Sequence, residues 1–249
     1  MHQTLLMSTS AATILAHLKT VDAEHTQRAS VVGLNAKVAA LKAYQQLRFS
    51  HTYADLLLST RYGPASRFFL DELYGPNDFT QRDAQFARVV PAVARLFPKE
   101  VVDTVETLAE LHALSEKLDS CMAMHLERAA VNGIEYICAW QATGREAERE
   151  KQIALTLDVA GRLHRLTRRT VIRNSLRLMR GAARAAGLGD LQRFLESGFD
   201  TFRAMNGAHD FVSTVASRER TFGSSLFAAR CSQPTDTSMT QALAALPCL

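Results

Sequence analysis

Arg48, His51 and Asp55 stand three and four residues apart, on one line with Tyr44, Leu47 and Leu58. On a helix that spacing stacks side chains one turn above another. A carboxylate beside an imidazole raises its pKa and orients one ring nitrogen, which is half of a general acid–base pair. The other half, a nucleophile or a metal partner, is not identifiable, so the competing reading is a satisfied, partly buried polar cluster. A second set, Tyr74, Asp78 and Arg82, crowds the stretch FFLDELYGPNDFTQRD (Phe68–Asp83). Much of that stretch is punctuation. Gly75-Pro76 stops one helix, and Thr80 with Asp83 opens the next as a relative of the capping box. The tyrosine, aspartate and arginine that remain suit a ligand or partner, because loops carry function more often than cores do. Read structurally instead, Asp78 or Thr80 caps the following helix and Arg82 pairs with a nearby carboxylate.

A third set is a run of arginines. Stepped at the helical angle, Arg162, Arg165, Arg169, Arg173, Arg177, Arg180 and Arg184 fall within a wedge of about 120°. Residues 162–193 hold nine arginines and one acid, Asp190, whereas residues 71–120 hold ten acidic and five basic side chains. Such a face is either solvated and partly paired with the acidic region, or a binding face for an acidic protein partner or an anionic ligand. Nucleic acid is the weaker candidate. There is one Trp, five Tyr and no helix-turn-helix or RNA-binding signature.

Metal and nucleophile chemistry find less support. Carboxylate-bridged di-metal sites in helical bundles use repeated Glu-x-x-His, and the chain has none; Asp22 with His25, and His112 with Glu116, come nearest. His125 lies near an apolar stripe and reads as a core histidine. A haem held by one histidine leaves almost no spacing signal, so it stays among the cofactor options. The four cysteines form no CxxC pair, which speaks against structural zinc. No GxSxG elbow and no glycine-rich phosphate loop occurs.

The elements that would hold these residues are helices. Twelve Gly and six Pro punctuate 249 residues sparsely, and no stretch alternates with period two. Helical spacing covers Leu34–Thr60, Ala65–Tyr74, a segment from Thr80 that Pro91 should kink or split, and a long segment from Pro98 to about Ala130. Further helices are expected near residues 134–142, 145–185, 190–206 and 208–228, the third-last breaking near Gly161 or Thr170. The expectation is an all-α bundle of about eight or nine helices with no β-sheet. Residues 1–32 read as a weakly helical arm, 33–230 as a single helical domain and 231–249 as a flexible tail.

The stretch FFLDELYGPNDFTQRD, with QIALTLDVAGRLHRL, MRGAARAAGLGDLQRFLESGFDTFRAM and the closing SRER, resembles an uncharacterised family of proteobacterial all-helical proteins that carry an FFLxELYGPxDFxxRD motif. The resemblance covers most of residues 40–220. It implies the extent of the domain and brings no reaction or ligand with it.

Composition bounds the rest. Hydrophobic content of 47% and charged content of 22% are those of a globular chain. The net charge of +4 is mild. No basic segment followed by an apolar run opens the sequence, and no run of about 18 apolar residues occurs. A cytoplasmic protein with reduced thiols and no membrane partner is the expectation; a homo-oligomer is left open. The leading functional reading is a non-catalytic binding or protein-interaction module. Its rivals are an enzyme or cofactor-binding bundle using Arg48, His51 and Asp55, and nucleic-acid binding through Arg162–Arg184.

Overall fold

A computed structural model describes residues 2–72, 80–233 and 235–247, with side chains from residue 9 onward. Among the described residues there are thirteen helices and no strand. The all-α expectation therefore holds, while the count of eight or nine does not. In chain order the helices are α1 (His2–Ser30), α2 (Leu34–Thr52), α3 (Ala54–Leu58), α4 (Gly63–Glu72), α5 (Thr80–Leu96), α6 (Lys99–Met124) and α7 (Gly133–Thr143). They continue with α8 (Glu146–Thr167), α9 (Thr170–Leu178), α10 (Arg180–Ala185), α11 (Gly189–Ala204), α12 (His209–Ala228) and α13 (Thr237–Ala244).

The extra helices come from breaks that apolar periodicity conceals. The segment expected to run from Leu34 to Thr60 is interrupted at Tyr53, whose φ of −116° and ψ of 24° are not helical. The segment expected over 145–185, with a break near Gly161 or Thr170, becomes three helices, parted at Arg168–Arg169 beside Thr170 and also at Met179, where none was expected. Pro91, by contrast, does not split α5. Its ring lies on the exposed side.

Both expected floppy ends are ordered into the fold. The arm is most of α1, which buries Ile14, Leu18 and Val21 against α5 and α6. Its apolar residues recur with only weak helical periodicity, yet each of these three is nearly inaccessible. The tail holds α13, capped by Asp236, whose side chain accepts from Ser238 N at 3.3 Å. Met239, Ala242 and Leu246 from this segment are buried among α7 and α12. Cys231 in the same segment forms a disulfide with Cys138 on α7, with Cα atoms 5.6 Å apart. This pairing, inside the range such bonds need, replaces the expectation that all thiols are reduced.

The core has three apolar clusters. One joins α2, α6, α7, α12 and α13 around Tyr44, Tyr136 and Trp140. A second joins α2, α3, α4, α8, α11 and α12 around Phe69, Phe202 and Phe211. The third joins α1, α5 and the start of α6. Helix packing is close enough in the second cluster that a Cβ at Gly198 of α11 would lie 2.9 Å from the Phe68 ring of α4.

Helix α6 is the axis of this arrangement. From Glu100 to Ala123 no residue is exposed, because α1, α2, α5, α7 and α8 all pack on it. Of its polar residues, Thr104, Glu116, Asp119 and Ser120 are buried. Ion pairs Lys117–Glu148, Lys151–Glu110 and Arg169–Glu100 set α8 antiparallel to it.

Candidate functional site

A cavity of about 220 Å³ lies beside α6, walled by α2, α6, α7, α8, α11 and α12 with single turns of α1, α4 and α5. Along α6 its lining runs from Val105 to Asp119, which at 1.5 Å per residue is about 21 Å. The two ends differ in chemistry. At the Val105 end the wall is Leu108, Leu157, Ala160, Phe211 and Val215. At the Asp119 end it is Gln45, Arg48, Glu116, Arg149 and Gln152, with Tyr136 and Trp140. The antiparallel course of α8 produces this polarity: its charged first turns lie beside the polar part of α6, and its apolar later turns beside Val105.

Burial at the polar end demands partners, and most groups have them. Glu116 is the hub. Its carboxylate meets Arg28 Nη1 at 2.5 Å and Lys42 Nζ at 2.5 Å, with His25 Nε2 at 3.6 Å. Arg28 also donates to Ser120 Oγ at 2.7 Å and to the Glu116 carbonyl at 2.5 Å. Burial opposes ionisation of Glu116, but the hydrogen bond from His25 and the charges of Lys42 and Arg28 outweigh it, holding the group below the usual carboxylate range. One turn on, Asp119 accepts from Gln45 Nε2 at 3.0 Å. There burial prevails and the pKa is pushed up, with the Glu116 charge adding to it. Arg48 donates to Glu219 Oε1 at 2.5 Å, an oxygen that also accepts from Tyr53 OH at 2.6 Å.

Arg149 differs from these. It is 5% exposed, and among the described residues no carboxylate lies within ion-pair distance of it. Its Nη1 donates to Gln152 Oε1 at 3.2 Å, its Nη2 points at Met122 Sδ at 3.7 Å, and the guanidinium lies 4.1 Å from the centre of the Trp140 ring. Gln152 in turn donates to Ser115 Oγ at 2.8 Å. Burial lowers the arginine's pKa, with Tyr136 and Asp119 opposing that shift. Two further N–H donors of this wall, Arg48 Nε and Trp140 Nε1, are buried without an acceptor among the described residues. They are packed out of reach of solvent, so they mark a surplus of donors rather than ligand contacts.

Between the two ends His112 and Asp83 meet on the cavity wall, Nε2 to Oδ2 at 2.9 Å. Arg82, one residue away, donates to the Glu72 carbonyl at 2.9 Å and stacks 4.5 Å from the Phe194 ring centre. It ties α5 to the end of α4. Tyr74 and Asp78, the other two residues of the expected corner, lie outside the described residues.

The sequence-expected acid–base cluster is not assembled. Arg48 faces inward to Glu219, whereas His51 and Asp55 are exposed. Arg218 Nη1 and Nη2 grip the Asp55 carboxylate at 2.7 and 2.8 Å, lowering its pKa to about 2. The cause is the break at Tyr53, which resets the helical phase before Asp55. Glu219 and Arg218, consecutive on α12, then pull Arg48 and Asp55 to opposite sides of the wall.

The arginine wedge is likewise divided by the breaks at Arg168–Arg169 and Met179. Arg162 pairs with Asp158, Arg169 with Glu100, Arg173 with Asp200 and Arg180 with Glu196. Arg165, Arg177 and Arg184, with Arg168, are exposed and have no ion pair among the described residues. His125, expected in the core, is the exposed C-cap of α6.

Sequence reasoning missed Lys42, Gln45, Asp119, Arg149, Gln152 and Glu219. The available signal was faint: Glu116 and Ser120 continue the three- and four-residue series Val102, Ala109, Ala113, which becomes meaningful only if α6 is enclosed on all sides. Among the described residues no cluster of three or more His, Cys, Asp and Glu has metal-site geometry, and no helix is long and apolar enough to cross a membrane. Compared with the curated proteins and with the solved structures, the chain matches none. Residues 24–233 match the family model described as "Domain of unknown function (DUF8198)", and the chain belongs to that family.

Proposed function

We propose that this protein is a non-catalytic binding module whose ligand is a small, mainly apolar molecule held in the central cavity. The observation that carries the reading is the cavity itself. At about 220 Å³ it exceeds the engineered cavity of about 150 Å³ that holds benzene, and by that scale it has room for about nine non-hydrogen atoms. Natural cores are otherwise packed with few voids larger than a water molecule, so a void of this size suits an occupant. That size fits a small molecule better than a haem.

Thermal unfolding with and without octan-1-ol tests the reading. The alcohol should raise the midpoint of the wild type and have little effect on Ala160→Phe, where a ring fills the apolar end. An equal response of the two proteins would refute it.

A second reading rests on His112 and Asp83. An imidazole–carboxylate pair on the wall of a ligand cavity is the arrangement of a general base, which would make the protein an enzyme. Recovery of the bound molecule chemically changed would favour that reading, and recovery unchanged would sink it. We also propose that the exposed Arg165, Arg168, Arg177 and Arg184 form a face for an acidic protein partner. The proteobacterial motif is a further proposal, and the expected cytoplasmic setting has the Cys138–Cys231 disulfide against it. The Cys138–Cys231 disulfide bears on the setting, since such bonds persist in oxidising compartments.

A further inference from the structure

Three features could carry an inference beyond the cavity reading. They are the exposed arginines of α9 and α10, the His112–Asp83 pair, and the unpaired guanidinium of Arg149. The first has no groove, and the second names no reaction. The third sits in a built site with a defined charge and shape.

Consider the charge first. Around the polar end four cations, Arg28, Lys42, Arg48 and Arg149, face three carboxylates, Glu116, Asp119 and Glu219. Glu116 is shared by Arg28 and Lys42, and Glu219 is taken by Arg48 and Tyr53. Asp119 accepts from Gln45 and makes no ion pair with Arg149. One positive charge, that of Arg149, is left without a contacting anion. A buried charge is costly unless it is paired. The neutral partners that Arg149 does have, an amide oxygen, a thioether and an indole face, stabilise a cation only in part.

The shape adds a second constraint. The lining extends about 21 Å along α6 for a volume of about 220 Å³, so the space is narrow for its length. A straight chain suits it better than a ring. Beyond Gln152 the wall formed by α8 and α12 is mainly apolar, with Ile153, Leu157 and Ala160 on α8 and Val212 and Val215 on α12, while the paired His112 and Asp83 face it from α6 and α5. A group that carries a single negative charge and accepts hydrogen bonds would lie at Arg149. A hydrocarbon tail would run toward Val105. A guanidinium receives a carboxylate through two parallel N–H donors, and one surplus charge matches a monoanion rather than a dianionic phosphate.

Resting on the cavity reading, we infer that the ligand is a short straight-chain monocarboxylic acid, its carboxylate bound by Arg149 and its chain lying along α8 and α12. Octanoate is a molecule of the right size and serves as the probe, with octan-1-ol as its uncharged counterpart. Both are titrated by calorimetry into wild type, Arg149→Met and Ala160→Phe. Methionine keeps an unbranched apolar stem over Trp140 and removes the charge.

Octanoate should bind the wild type at least tenfold more tightly than octan-1-ol. Arg149→Met should lose at least tenfold in octanoate affinity and keep its affinity for the alcohol. If the alcohol binds wild type as well as the acid does, the inference falls while the cavity reading stands. If neither probe binds wild type, both fall together. Should Arg149→Met not fold, the ratio of the two affinities in the wild type decides the matter alone.

Discussion

Glu116 offers the sharpest test of how this interior is held together. Replacing it with glutamine keeps the shape and removes the charge that Arg28 and Lys42 share. Arg28 is 4% exposed and would keep its bonds to Ser120 Oγ and to the residue-116 carbonyl. It would lose its only carboxylate partner among the described residues. Breaking a buried pair by neutralising one member costs about 3–5 kcal/mol, because a desolvated charge remains. The two surviving hydrogen bonds place Glu116→Gln near the lower figure. For a chain of this length that is a fall in midpoint of roughly 6–12 °C. Urea unfolding followed by circular dichroism measures it directly, and pH supplies an internal check. Since the folded-state pKa of Glu116 is depressed, its contribution is fully present above the unfolded value of about 4.3 and is lost as pH falls toward the folded value. The gap between wild type and Glu116→Gln should therefore narrow as pH drops below about 4. The triple replacement Arg28→Met, Lys42→Met and Glu116→Leu should recover most of the loss, as apolar substitutes for buried ion clusters commonly do. A single variant within about 1 kcal/mol of wild type at neutral pH would refute the assignment of Glu116 as the hub.

Asp119→Asn should behave in the opposite sense. Burial raises the pKa of Asp119 in the folded state, so the folded protein binds the proton more tightly and stability declines as pH rises above about 3.9. Asparagine keeps an acceptor for Gln45 and cannot ionise, so its stability relative to wild type should improve from pH 4 to pH 7; a flat difference in urea midpoints across that range would contradict the burial. The Cys138–Cys231 disulfide closes a loop with a sequence separation of 93, for which chain entropy gives up to about 4–5 kcal/mol. Adding a reductant should lower the unfolding midpoint of wild type and leave Cys138→Ser with Cys231→Ser unchanged, and equal shifts in both would show that the bond does not form.

Parts of this molecule are plain in the sequence, and others are not. Sparse Gly and Pro with steady three- and four-residue apolar spacing give the all-α class. Asn132 begins α7 through a full capping box with Glu135, where the pattern already ended one helix and opened the next. The breaks at Tyr53 and Met179 carry no glycine or proline, so nothing local announces them. The arm reads as loose because its helical periodicity is weak, and the tail as flexible, yet α1 and α13 dock on surfaces that other helices build. The same limit governed the site. The sequence grouped Arg48, His51 and Asp55 by helical spacing, and the spacing failed once the helix ended at Thr52.

By itself the sequence determined that the chain is helical, that its charge is divided between an acidic stretch and a run of arginines, and that several common catalytic and metal-binding signatures are missing. The tertiary structure decided which charges face inward. Glu116, Asp119 and Arg149 look in the sequence like ordinary polar positions on amphipathic helices. They become a site because α6 is enclosed on every side and because α8 returns antiparallel beside it. Helical periodicity is a property of one segment, whereas burial belongs to the neighbours it acquires. Only the packing of distant helices could take Arg149 out of water and leave its charge facing a cavity.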